Sequence, residues 1–282
     1  MRGDPGGAGE RGRDLLNDIT LGQYYPGNSP VHRMDPRAKL MLAVCYIVGV
    51  FMIGHLPGYL LALLFLLLFV RFSGIPFRYL ARGLRPLRMI LIFTFLLNVF
   101  FAPGETKLLS LGAWALTWEA LESAIYFSLR LIFLVMGTSV LTLTTSPVQL
   151  TDALEHLMRP LARFGFPAHE LAMMMTIALR FIPTLLEEAD KIRKAQMARG
   201  ADFESGNLIA RAKALIPLLV PLFVGAFRRA NDLAMAMEAR CYHGGEGRTR
   251  LHALCYGKLD AIGAAVMAGF IASVIVEGRL FG

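Results

Sequence analysis

Between residues 40 and 102 the sequence is a succession of apolar runs, interrupted mainly by turns and arginines. These runs cover residues 40–54, 59–70 and 89–102, and two more cover 120–143 and 259–276. Inside lipid every backbone polar group must be satisfied within its own segment, so each run reads as a membrane helix. The first two are shorter than the about 20 residues of a standard span. Tilt, or flanking residues drawn into the interface, makes up the length. The alternative is a re-entrant hairpin turning at His55-Leu56-Pro57-Gly58. With 55% hydrophobic residues and a mean hydropathy of +0.52, the 282-residue chain is read as an integral membrane protein.

The placement of charge sets the expected topology. Residues 71–88 hold five arginines (Arg71, Arg78, Arg82, Arg85 and Arg88) and no acid, a cytoplasmic loop under the positive-inside rule. The stretch after Pro103-Gly104 is nearly neutral and carries Trp114 and Trp118, which places it outside. Five spans then start from a cytoplasmic N-terminus and end outside. Residues 1–13 are rich in glycine and charge and are expected to be a disordered cytoplasmic leader. Residues 20–39 are polar and turn-rich, and close on a basic collar at residues 32–39.

Several chemistries are absent from the sequence. It has no P-loop, no His-Glu-x-x-His and no Gly-x-Ser-x-Gly, so no catalytic residue is assigned. No basic run interleaved with aromatics offers a nucleic-acid groove. Cys45, Cys241 and Cys255 make no disulfide framework. Cys241, His243, His252 and Cys255 superficially resemble zinc ligands, but at an unusual spacing, and no metal is assigned. Glu187 and Glu188 are adjacent, point to different sides of a helix and read as a solvated face. Arg130 lies within the fourth span, where an arginine is either a functional site or a bundle-facing group paired with something polar. The second reading is preferred, with no acidic partner evident in the other spans.

The second half is expected to be long helices. Ser146-Pro147 is a helix start, with serine at the N-cap and proline at the first helical position. The helix runs to residue 164 and ends at Gly165-Phe166-Pro167. Another covers 168–199, kinked at Pro183, apolar at first and heavily charged after. A third covers 208–240. Placing Arg199 on Arg240 brings Ala189 onto Ala230, Ile192 onto Leu233 and Ala198 onto Ala239. The stripes Ile182, Leu185, Ala189, Ile192, Gln196, Arg199 and Phe223, Ala226, Ala230, Leu233, Met237, Arg240 have helical spacing. Each ends in an arginine, and Gly200 suits the position just past a helix end. Such a tip is either a plug for a carboxylate-lined pocket on a partner or an ordinary helix-end cation facing solvent or lipid phosphate. Met173, Met174, Met175, Met235 and Met237 form either an adaptable docking surface or plain helix packing.

Three stretches together carry a resemblance. The first is Leu21-Gly22-Gln23-Tyr24-Tyr25-Pro26-Gly27-Asn28-Ser29-Pro30 with the collar at 32–39. The second is Ala178-Leu179-Arg180-Phe181-Ile182-Pro183, then Glu188, then Ala195-Gln196-Met197-Ala198-Arg199-Gly200. The third runs from Arg229-Ala230 to Ala236-Met237-Glu238-Ala239-Arg240. Over nearly the whole chain after the leader, the sequence resembles the transmembrane T component of energy-coupling factor (ECF) transporters.

The resemblance implies an all-α polytopic membrane bundle of about five spans, with residues 1–39 as leader and collar and 40–145 as four membrane helices. Residues 146–258 would be cytoplasmic coupling helices and 259–282 the last span. It implies a non-catalytic coupling subunit in a prokaryotic cell membrane. Its partners would be two ECF-type ATPase subunits, A and A′, and one or more membrane S components that capture a vitamin or metal ion. Ala198, Arg199, Gly200, Ala239, Arg240 and Cys241 would dock the ATPases, which bind the ATP; the chain itself needs no cofactor. Met173, Met174, Arg180, Pro183 and Met235 would meet the S component. The full N-terminal signature resembles the shared type, serving several S components. The family usually has a small residue where this chain has Cys241. The rival is a stand-alone secondary transporter with Arg130 at its substrate site, against which the lack of membrane acids and inverted repeats argues.

Overall fold

The structure, a computed structural model, describes residues 24–101, 107–111, 114–203, 207–244 and 254–281. The leader, Leu21-Gly22-Gln23 and His252 lie outside the described residues. The chain divides into two compact units, one of Gly22–Ala153 with His252–Gly282, the other drawing on Leu154–Leu251.

The first unit is a membrane bundle of α1 (Pro36–Met52), α2 (Leu56–Ser73), α3 (Phe77–Leu84), α4 (Arg88–Phe101), α5 (Trp118–Thr144) and α10 (Lys258–Phe281). α6 (Pro147–Met158) starts in this unit and ends in the other. The core lies where α1, α2, α5 and α10 meet. The Tyr46 ring packs against the rings of Phe65 and Phe270, which stack on each other 4.6 Å apart, and its hydroxyl donates to the Phe133 carbonyl at 3.0 Å. That approach requires glycine at 137, because any Cβ there would overlap the Tyr46 ring. Small residues at helix crossings are how bundles in lipid gain close contact.

The collar turns out to be a buried clasp. Asp35 caps α1 by accepting from the Arg37 amide, with Pro36 at the first helical position. The Arg37 guanidinium folds back on Asp35 at 2.9 Å, donates to the Leu254 carbonyl and covers the Tyr256 ring. The Asp35 amide donates to Asp260 at 2.8 Å, tying α1 to α10. Lys39 is only 4% exposed and donates to the carbonyls of His32 and Thr144, completing the C-terminus of α5.

Sequence and structure part company in two loops. The arginine-rich stretch read as a loop contains helix α3, which meets α4 at a 60° bend. The tryptophan-bearing stretch read as an outside loop contains an antiparallel ribbon of β1 (Lys107–Leu111) and β2 (Trp114–Thr117), with Leu109 opposite Leu116. Thr117 at its end caps α5 by accepting from the Ala120 amide. The architecture is otherwise the expected all-α membrane bundle. Among the described residues five helices are long and apolar enough to cross a membrane: α2, α5, α7, α9 with its lead-in, and α10. They are not the same five as the apolar runs. α1 and α4 are shorter, and α4 reaches span length only with α3 across the bend.

In the second unit, α6 gives way at Pro160 to a 3-10 turn (Arg159–Phe164) that ends on Gly165. α7 (Ala168–Ala198) follows and runs unbroken through Pro183. α8 (Leu208–Ala214) and α9 (Ile216–Ala239) are separated at Leu215, just before Pro217.

Candidate functional site

α7 and α9 pack side by side in opposite directions. Ile177, Phe181 and Leu185 of α7 share a groove of about 280 Å³ with Ala226, Ala230, Leu233 and Met237 of α9. At the far end Gln196 donates to the Pro217 carbonyl at 3.3 Å. Midway, Arg229 pairs with Glu188, which lies over Gly225, where no side chain intervenes. Glu188 is therefore not on a solvated face as its neighbour Glu187 is; it is half-buried and fixes the helix crossing. The sequence could not show this, because Arg229 is distant in the chain.

Both helices end in the same device. At the end of α7 the Gly200 amide donates to the Met197 carbonyl and the Ala201 amide to the Gln196 carbonyl, both at 3.0 Å. At the end of α9 the Cys241 amide donates to the Glu238 carbonyl at 2.9 Å and the Tyr242 amide to the Met237 carbonyl at 3.0 Å. This double bond pattern is the Schellman motif, which satisfies the orphaned carbonyls of a helix end. It needs a left-handed residue, and Gly200 supplies it at φ +89°. Cys241 supplies it at φ +56°, the one non-glycine with positive φ among the described residues. The second tip thus has the shape of the first despite its side chain. In both, the arginine is the last near-helical residue, exposed, with exposed alanine before it.

Because the helices are antiparallel, the tips stand at opposite ends of the pair, roughly 40 Å apart at a helical rise of 1.5 Å per residue. Their surroundings differ. Arg240 and Cys241 border a cavity of about 600 Å³, with Met173, Tyr242, His243 and the linked pair His169–Glu155, 3.0 Å apart, on its walls. Of the residues expected to meet a membrane partner, Met173 is half-buried in this cavity, while Met174, Arg180, Pro183 and Met235 are exposed. The tips and these residues are all carried by α7 and α9, but not on one face. Among the described residues no group of three or more histidines, cysteines or acids comes together. Cys241 and His243 line the cavity, and Cys255 is exposed elsewhere.

Arg130 has the bundle-facing role. It donates to the Ile53 carbonyl at 3.0 Å and lies 5.6 Å from the ring centres of Phe51 and Phe127. The bundle does hold a buried acid, contrary to expectation. Glu277 of α10 is 6% exposed and its carboxylate lies over Gly58. The apolar run ends one residue before it in the sequence, while the helix continues past it.

The sequence profile described as "CbiQ: Cobalt transport protein" matches residues 27–251. A relative from Thermosediminibacter oceani, named "Energy-coupling factor transporter transmembrane protein EcfT", is 54% identical over 264 residues, 94% of this chain and 99% of that protein. Proteins of the same name from Clostridium kluyveri and Bacillus subtilis are 48% and 47% identical, over 95% and 87% of this chain and 99% and 93% of their own lengths.

Proposed function

We infer, from the premise that this chain belongs to the CbiQ cobalt transport protein family and is a T component of an ECF transporter, that its α7–α9 pair is the coupling element of that transporter. The chain is a multi-pass membrane protein and not an enzyme; ATP hydrolysis belongs to partner subunits. Family membership, rather than the absence of membrane acids, decides against a stand-alone transporter.

The observation that carries the reading is the matched pair of exposed arginines, each held at a Schellman-closed helix end. Arg199 and Arg240, flanked by Ala198, Gly200, Ala239 and Cys241, each enter a carboxylate-lined groove on one of two ATPase subunits. A planar guanidinium there makes two charge-assisted hydrogen bonds. The small neighbours let the tip approach closely. When ATP binding and hydrolysis move the ATPases, both ends of the α7–α9 pair move with them. That motion reaches an S component through the exposed Met174, Arg180, Pro183 and Met235, with Met173 behind them. The S component holds the vitamin or metal ion, and the full N-terminal signature fits a module shared among several S components. The five arginines of residues 71–88 favour a cytoplasmic side for that stretch and for the N-terminus.

The test is a pulldown from the native membrane. The chain recovers two P-loop ATPases and one or more small hydrophobic proteins. Arg199→Glu combined with Arg240→Glu loses both ATPases while still inserting in the membrane. Recovery of both ATPases by the double variant overturns the docking role.

A further inference from the structure

We propose that α3 is an interfacial helix whose arginine stripe binds the phosphate of an anionic phospholipid. The proposal rests on the chain's being a membrane protein and is independent of the coupling role of α7 and α9.

α3 has two unlike sides. Leu80 is fully buried, Gly83 lies against Ser139 of α5, and the Tyr79 ring packs on Tyr25, 5.2 Å between centres. This side docks α3 on the bundle. Arg78, Arg82 and Arg85 share the other side at steps of four and three residues, the spacing of one helical stripe. Arg71 precedes them at the end of α2, and Arg88 follows at the start of α4. All five are exposed, and among the described residues none has a carboxylate partner; Arg82 covers the Tyr79 ring at 5.2 Å. The sequence itself holds no acid between Asp35 and Glu105. Five guanidinium groups thus fall within residues 71–88, three of them on one stripe, with no carboxylate paired to them among the described residues.

Geometry points to lipid rather than to a soluble anion. α3 departs from the apolar α4 by 60°, so where α4 runs into the membrane α3 turns toward its plane. Apolar side chains adjoin the arginines: Phe72 and Phe77 are 56% exposed and Met89 is 81% exposed. A charged stripe beside exposed apolar groups is the pattern of a helix lying in the headgroup layer. A phospholipid phosphate accepts from the guanidinium forks while its acyl chains cover Phe77 and Met89.

The experiment is native mass spectrometry of the full chain in detergent, titrated with phosphatidylglycerol or with phosphatidylcholine. Wild type retains phosphatidylglycerol in preference. At about a fivefold contribution per basic residue near an anionic surface, Arg78→Gln, Arg82→Gln and Arg85→Gln together weaken it on the order of a hundredfold. The three arginines changed to lysine keep most of the binding. The glutamine variant unfolds at the wild-type temperature in phosphatidylcholine, which separates lost binding from lost folding. Excess inorganic phosphate does not displace the lipid. Equal retention of the two lipids, unchanged retention by the glutamine variant, or displacement by phosphate alone each overturns the proposal. So does cross-linking of the stripe to an acidic protein with lipid retention unaltered.

Discussion

The bundle of α1, α2, α5 and α10 and the pair of α7 and α9 are built from the same material and finished differently. In the bundle Val50, Ala62 and Val140 are wholly buried, aromatic rings stack through the centre, and the clasp at Asp35, Arg37 and Lys39 closes one end. In the pair α9 buries no residue and α7 buries only Ala168 and Ala172. Phe223, Val224 and Phe227 of α9 are each more than half exposed. Unpartnered apolar side chains in such number mark a surface that other molecules cover. The bundle has a packed interior of its own; the pair has little, and its apolar surface is left for lipid or a partner to cover. Stability is concentrated in the first and adaptability in the second.

That contrast can be broken most directly at two glycines. Gly137→Ala forces a methyl group into the Tyr46 ring and costs about 3 kcal/mol, the upper end of overpacking. Gly225→Ala meets only the Glu188 carboxylate, at 3.0 Å, and stays within about 1 kcal/mol of wild type because alanine favours helix. Thermal unfolding in detergent compares them, and equal midpoints would erase the distinction. Next in size, Lys39→Met leaves the His32 and Thr144 carbonyls without their donor and lowers stability by about 2 kcal/mol. Cys241→Gly relieves a left-handed L-residue and firms the second tip by about 1 kcal/mol. Slower hydrogen exchange at the Tyr242 amide, with the bundle unchanged, is the expected reading. Smallest in stability is Glu188→Gln, about 0.5 kcal/mol for a pair near 30% exposed. Its effect is on shape: the distance distribution between spin labels at positions 199 and 240, with native cysteines replaced, broadens. An unchanged distribution would mean that groove packing alone aligns the helices.

Much of this was legible in the sequence where the signal was local. The arginine tips, their stripes and Gly200 were readable because helix periodicity and helix-end chemistry act over a few residues. The start of α1 at Pro36 was also within reach, since Asp35-Pro36 is an N-cap and first-turn pair, but the flanking charges read as a headgroup collar. Helix α3 was hidden the same way, although its arginines step by four and three. What the sequence could not show is what tertiary contact decides. Lys39 is buried because the end of α5 arrives beside it; Glu188 is paired because α9 doubles back along α7. Glu277 was missed because apolarity ends at Val276 while the helix goes on. Cys241 adopts the conformation of Gly200 because the hydrogen bonds of the motif impose it.

Under the docking role proposed above, placing the two tips at opposite ends of one antiparallel pair has a consequence for how the complex comes apart. A chain held at two points releases neither by losing one, since the freed tip remains close to its groove and rebinds as an intramolecular event at high effective concentration. Charge reversal at Arg199 or at Arg240 alone then removes that rebinding and speeds release, and reversal at both removes the second contact as well. The spacing of the tips would then select for a pair of ATPases that are themselves joined at a matching separation, so that the hairpin would gauge the assembly it binds.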